Sequence, residues 1–265
     1  SIQRIDGDGA HHEIQKPKYA TEIPTDADVI VVTVHQDQLD DALIALLKPS
    51  AAPVVMLSPM FERDRDALVK ALGPRIFPAM ASIVSYDKNA TFRYWLPKAA
   101  TTAVESKEAP KVLGEFIEAI VASGVTAKLD THVLAQNVAT TVSFMPVIMG
   151  MDIAGSIDAL LSDKKLLHLA IAGVNEAGKL AQAVGAPAAW ARLLLHFVGP
   201  FTLKAGIGLA RMKSPEAVSY VEEHFGRKLH RQNLRIGKEM VDLAEANGIR
   251  AEQLNALYTQ LVAVT

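Results

Sequence analysis

The chain of 265 residues contains no cysteine, which excludes disulfides and thiolate chemistry and leaves any metal to histidines and carboxylates. It also lacks a charge excess of either sign, with 27 lysines and arginines against 29 aspartates and glutamates and a net charge of −2. A nucleic-acid backbone needs a dominant basic face, so nucleic acid is not an expected partner. Residues 1–20 are polar and hold no apolar core of a signal peptide. The most apolar segment, 138–151, is too short to span a bilayer and is broken by Thr140, Thr141, Ser143 and Pro146, so a buried core helix is expected there and a membrane is not. Together with the missing cysteines these features suit the cytoplasm. There is no internal repeat and no low-complexity linker. What remains is ordinary, half of it apolar and 21% charged, and long enough for two modest domains with real cores.

The organising stretch is Asp28-Val29-Ile30-Val31-Val32-Thr33-Val34-His35-Gln36-Asp37-Gln38. Its apolar and β-branched residues do not alternate with polar ones, the pattern of a central parallel strand covered on both faces. A polar turn and a helix with Leu39, Ala42, Leu43 and Leu46 on one face follow, which is half of a βαβ unit. Ligands of open α/β sheets sit at the carboxyl ends of such strands, here His35 and its neighbours. A second buried strand covers 53–60, a helix with Ala67, Leu68 and Ala71 inward covers 64–71, and a third strand covers 75–79. Residues 85–89 read as a turn and 91–96 as a half-exposed strand. Upstream, 2–5 and 12–15 flank Asp6-Gly7-Asp8-Gly9, a hairpin signal. Gly7 and Gly9 mimic the start of a dinucleotide fingerprint, but His12 stands where its third glycine belongs.

From residue 107 the periodicity becomes helical. Helices are expected over 109–123, 131–149, 166–184, 187–197, 215–225, 227–247 and 251–264, with one strand over 125–129 and Asn247-Gly248 as a helix C-cap. The expected domains are therefore 1–129, an incomplete α/β Rossmann-type domain, and 130–265, all-α.

An α/β half followed by a helical half resembles the ketopantoate reductase family, whose second domain is of the 6-phosphogluconate dehydrogenase type. The residues that carry the likeness are the 27–38 stretch, Asp6-Gly7, Asn175-Glu176, Ala183-Val184-Gly185 and Glu245-Ala246-Asn247-Gly248-Ile249. The resemblance implies NADP as cofactor, with NAD as the alternative, and a small 2-oxo acid as substrate. The family opens with a strand, a Gly-rich turn and a helix that hold the pyrophosphate. The chain is expected to begin after that unit, because a sheet without its first strand would expose unpaired edges. The resemblance places Asn137 at the family's lysine and Gln232 at its substrate-holding glutamate. Amides can bind a carbonyl but cannot protonate it, so ketopantoate itself is not the expected substrate.

On this reading Val34, His35, Gln36, Gln38, Ser58 and Pro59 form the cofactor lip. Asn137, Thr141 and Gln232 are the catalytic candidates, with Gln136, Thr140 and Ser143 as further polar residues on an apolar helix. Arg231 and Arg235, one turn apart, could clamp a carboxylate. His132 and His230 are the conventional proton donors nearest the expected cleft between the halves, although each alone reads as a surface or capping histidine. Glu222, Glu223 and His224 lack metal spacing and read as surface, and no metal is expected. Surplus apolar residues over 187–209 point to association through the helical half, with a two-fold homodimer the expected outcome. The competing reading is a catalytically silent binding or scaffold protein that retains the fold. An opine-type dehydrogenase is a third, with no residues of its own in support.

Overall fold

Val54-Val55-Met56 are buried on every side, and the first half of the chain is built outward from them. The computed structural model describes residues 2–4, 11–12, 18, 20–88, 91–96, 100–187, 195, 197–213, 218–219, 221–222 and 225–264. The chain divides into two units, 1–134 and 135–265.

The first unit runs β1 (Ile2–Arg4), β2 (His11–His12), β3 (Ile30–Val32), α1 (Asp41–Leu47), β4 (Val54–Met56), α2 (Glu62–Leu72), β5 (Ile76–Met80), β6 (Val84–Lys88), β7 (Thr91–Trp95), β8 (Thr102–Glu105), α3 (Lys111–Ala122) and β9 (Ala127–Asp130). Five strands form one sheet in the order β3-β4-β5-β8-β9. The first three are parallel, with Val31 level with Val55 and Val55 level with Phe77. Successive residues of a strand face opposite sides, and each side has its own helices. Val32, Val54, Met56 and Ile76 pack with Leu43 and Leu47 of α1 and Leu68 of α2. Val55, Phe77, Ala79 and Val104 pack with Leu113 and Ile117 of α3. Each fully buried side chain of this size is worth about 1.5–3 kcal/mol. A second sheet, β2-β1-β7-β6, holds the β1–β2 hairpin expected from the sequence. Its turn, Asp6-Gly7-Asp8-Gly9, lies outside the described residues.

Several expectations need correction. The 28–34 stretch is not central: among the described residues β3 is an edge strand, and Val31 is 40% exposed. Continuous apolar character recurs at β4, which lies inside the sheet between β3 and β5. α1 starts only at Asp41, because Asp40 caps it by accepting a hydrogen bond from the Leu43 N–H at 3.0 Å. Its inward face is therefore Leu43 and Leu47, while Leu46 is exposed. In α2 the inward residues are Asp64 and Leu68, with Ala67 and Ala71 exposed. Residues 85–88 belong to β6, which pairs antiparallel with β7 from Val84 opposite Trp95 to Lys88 opposite Thr91. The sheet is not wholly parallel either, since β8, absent from the sequence reading, joins β5 antiparallel.

The second unit comprises α4 (Val133–Ala154), α5 (Ile157–Ser162), α6 (Lys164–Val184), α7 (Pro200–Lys213), α8 (His230–Ala246) and α9 (Glu252–Val262). Its helices approach closely at glycines. A Cβ added at Gly173 would lie 2.8 Å from Leu257 and 3.1 Å from Pro146, and one at Gly237 would lie 3.0 Å from both Met149 and Tyr258. Glu176 of α6 accepts from the Gln253 and Leu254 N–H groups, both at 2.9 Å, and so caps α9. Gly248, at φ +64°, ends α8 as Asn247-Gly248 predicts. α5 and α7 are additional to the expected helices. Most of the 187–197 helix lies outside the described residues, as does much of the 215–225 helix.

Candidate functional site

The carboxyl ends of β3 and β4 are tied together by side chains. The Ser58 hydroxyl donates to the Val34 carbonyl at 2.5 Å. Gln36 is buried, and its Nε2 donates at 2.8 Å to Oδ2 of Asp64, which is also buried and accepts from the Phe61 N–H at 3.2 Å. The His35 N–H is held by Gln38 Oε1 at 2.9 Å. Both strand-end turns are thereby fixed, with His35 and Pro59 half-buried and Gln38 exposed. Of the six expected lip residues the structure gathers Val34, His35, Gln36, Gln38 and Ser58 through these bonds, and Pro59 follows Ser58 directly. Asp64 was missed by the sequence reading. Its signal was available as an acid three residues into α2, where N–H groups need acceptors.

In the helical unit, Asn137, Thr140 and Ser143 are buried and Thr141 is half-buried. Thr141 Oγ1 approaches Asn137 Oδ1 at 3.5 Å, a contact at the weak limit, and the two share a face. Ser143 is satisfied within its own helix by the Ala139 carbonyl at 2.7 Å. Gln232 is buried in the first turn of α8, beside exposed Arg231, and Arg235 is half-buried one turn on. Nothing in the carboxylate–imidazole arrangement near them was foreseen. Asp152 of α4 is fully buried, and its Oδ2 accepts from Asn233 Nδ2 at 2.8 Å and bonds His230 Nδ1 at 3.0 Å. Its Oδ1 is enclosed and meets no donor among the described residues. The signal for Asp152 was that it is the single charged residue of α4.

His132 is exposed, bonds Thr131 at 2.8 Å, and precedes α4 as a surface histidine. Glu222 is not simply surface, because it accepts from the Ile157 N–H at 3.1 Å at the start of α5. Glu223 and His224 lie outside the described residues. Among the described residues no three histidines, aspartates or glutamates converge on a metal-sized site. The Lys128 hydrogen bond lowers the pKa of Asp130, and burial lowers that of Arg75, whose guanidinium braces three backbone carbonyls.

No family model and no curated protein sequence matches the chain. Solved structures do. A ketopantoate reductase from Ralstonia eutropha JMP134 superposes with a TM-score of 0.65 at 13% identity, over 90% of this chain and 76% of that one. The fold is that of the ketopantoate reductases. A dimeric ketopantoate reductase from Staphylococcus aureus gives 0.61 at 14% identity over 89% and 76%. D-mandelate dehydrogenase in complex with NADH gives 0.56 at 12% identity over 89% and 78%. The fold therefore hosts more than one 2-hydroxy acid chemistry, and the site residues decide which one a chain performs.

Proposed function

We propose that the chain is an NAD(P)-dependent oxidoreductase, NADP being the expected cofactor, that reduces a small 2-oxo acid or related carbonyl other than ketopantoate. The observation that carries the reading is the pair of stapled strand ends, Ser58 to Val34 and Gln36 to Asp64, on a fold shared with an NADH-bound dehydrogenase. Val34, His35, Gln36, Gln38, Ser58 and Pro59 fit the nicotinamide half of a dinucleotide: they form a rigid, partly polar edge where ligands of such sheets bind. A Gly-x-Gly-x-x-Gly turn for the pyrophosphate is not among these 265 residues.

Bound cofactor supplies the hydride. The chain's own residues orient the carbonyl: Asn137 and Thr141 as hydrogen-bond partners, Gln232 toward a substrate hydroxyl, and Arg231 with Arg235 toward a carboxylate. None of the amides or hydroxyls can act as an acid near neutral pH, so the proton is drawn from water or a histidine. The reading also includes a cytoplasmic homodimer joined through the helical half.

The same amides favour the second reading, a silent binding protein, since two groups that work as lysine and glutamate in the family are neutral here. Fluorescence titration of the full-length protein with NADPH and NADH, followed by turnover assays over a panel of 2-oxo acids, separates them. Binding with turnover supports the reductase. Failure to bind either dinucleotide would exclude it.

A further inference from the structure

Helix α7 carries an apolar stripe that the described residues of its own unit do not cover. Its inward residues are Pro200, Leu203, Ile207 and Arg211, whereas Phe201, Ala205, Gly208 and Met212 are exposed. Those four recur at spacings of four, three and four, which places them in one line along the helix and is the spacing of a two-helix seam. Phe201 is 82% and Met212 78% exposed, and Leu209 beside the line is 49% exposed. The middle of the line is small, and nothing lies within 4 Å of a Cβ built at Gly208.

We infer that this stripe is the self-association surface, with α7 packing antiparallel against α7 of a second copy across a two-fold axis. The stripe is complementary to itself only in that direction. Antiparallel pairing about its midpoint sets Phe201 against the partner's Met212, a favourable ring–thioether contact. Ala205 then meets the partner's Gly208, where two small residues let the backbones approach. Parallel pairing would instead stack Phe201 on itself and leave a gap at Gly208. At roughly 150–250 Å² per large side chain, Phe201, Leu209, Met212 and the neighbouring Phe197 leave on the order of 500 Å² of apolar surface per chain. That is about the apolar share of the roughly 800 Å² per partner in a standard interface. The nearest cation on the inward side, Arg211, is already paired with Asp158 at 2.7 Å within its own chain. The inference rests on the reading that the chain associates through its helical half, and goes beyond it by naming the contact.

Sedimentation of the full chain at micromolar concentration, beside two variants, tests it. Gly208→Leu has room in its own chain and raises helix propensity, so its circular dichroism should match the parent, while association weakens at least about tenfold. The chain has no cysteine of its own, so Phe201→Cys/Met212→Cys should oxidise to a covalent dimer. Each single variant should not, because identical positions stand about 16 Å apart in the antiparallel pair. A Gly208→Leu protein that remains dimeric, or single cysteines that cross-link, overturns the seam while the dimer stands. A monomeric parent overturns both, and a monomer that binds anionic vesicles through Phe201 and Met212 assigns the stripe to a membrane surface instead.

Discussion

The buried carboxylate of Asp152 should be more sensitive to loss of its donors than to loss of its own charge. Asn233 supplies the shorter bond, 2.8 Å, from a buried position, and His230 the 3.0 Å bond from a half-buried one. Asn233→Leu leaves a fully enclosed charge with one partner at its edge. Stripping a partner from a buried charge costs about 3–5 kcal/mol, and the remaining histidine holds the loss near the lower figure. Asp152→Asn keeps an oxygen for both donors and removes the charge, so it costs the difference between charged and neutral hydrogen bonds, about 1–2 kcal/mol. At about 2–4 °C per kcal/mol for a chain of this size, Asn233→Leu should lower the melting temperature by roughly 6–12 °C. Asp152→Asn should lower it by about half that or less. The double variant should lose less than the sum, since the two residues touch. Thermal unfolding followed by far-ultraviolet circular dichroism measures all three. Asp152→Asn proving the more damaging substitution would refute the argument. Because this network anchors the first turn of α8, Asn233→Leu should also raise the KM for a 2-oxo acid through Arg231 and Gln232.

Ser58→Ala frees the Val34 carbonyl and should weaken NAD(P)H binding several-fold, read by fluorescence titration, at a stability cost of about 1 kcal/mol. Asn137→Lys restores a cation beside the developing alkoxide and should raise ketopantoate reduction by about 10²–10³, measured as loss of NADPH absorbance; an unchanged rate would remove Asn137 from the site. The Lys128 hydrogen bond lowers the pKa of Asp130. The pair's contribution is therefore present above the ordinary aspartate pKa of about 3.9 and is lost as pH falls through the lowered value. Lys128→Met should shift the acid-unfolding midpoint upward, by an amount equivalent to no more than about 1 kcal/mol for so exposed a pair.

The parts of the fold legible in the sequence were those whose burial is encoded locally. Val54-Val55-Met56 and Ile76-Phe77 have no polar alternation, so any sheet must cover them on both faces. α4, α6, α8 and α9 show helical periodicity over three turns or more. β6 was not legible because Ser85, Tyr86, Asp87 and Lys88 are strand residues only through their partners in β7. β8 is four residues long, and its place between β5 and β9 is a tertiary fact. The same holds for the site. Val34, His35 and Ser58 were singled out because strand ends are where ligands of such sheets bind, but the Gln36–Asp64 bond spans 28 residues and the Asp152 bonds span 78 and 81. No local pattern reports contacts at that distance.

The polar residues of α4 bound what chemistry the proposed site could perform. Ser143 is committed to its own backbone and Asp152 to α8. Asn137, Thr140 and Thr141 cluster within about one turn, all neutral, while Asp152 stands about 20 Å farther along the helix at 1.5 Å per residue. A neutral cluster can align a carbonyl but can neither donate a proton to it nor offset the charge that hydride transfer builds on its oxygen. A reductase using this face must therefore favour a substrate whose own structure tempers that charge, or take its proton from solvent in the transition state. A solvent deuterium isotope effect on kcat that Asn137→Lys abolishes would fit the second route. An effect of the same size in both proteins would place the proton donor elsewhere, and His230, held by Asp152, would then be the next residue to replace.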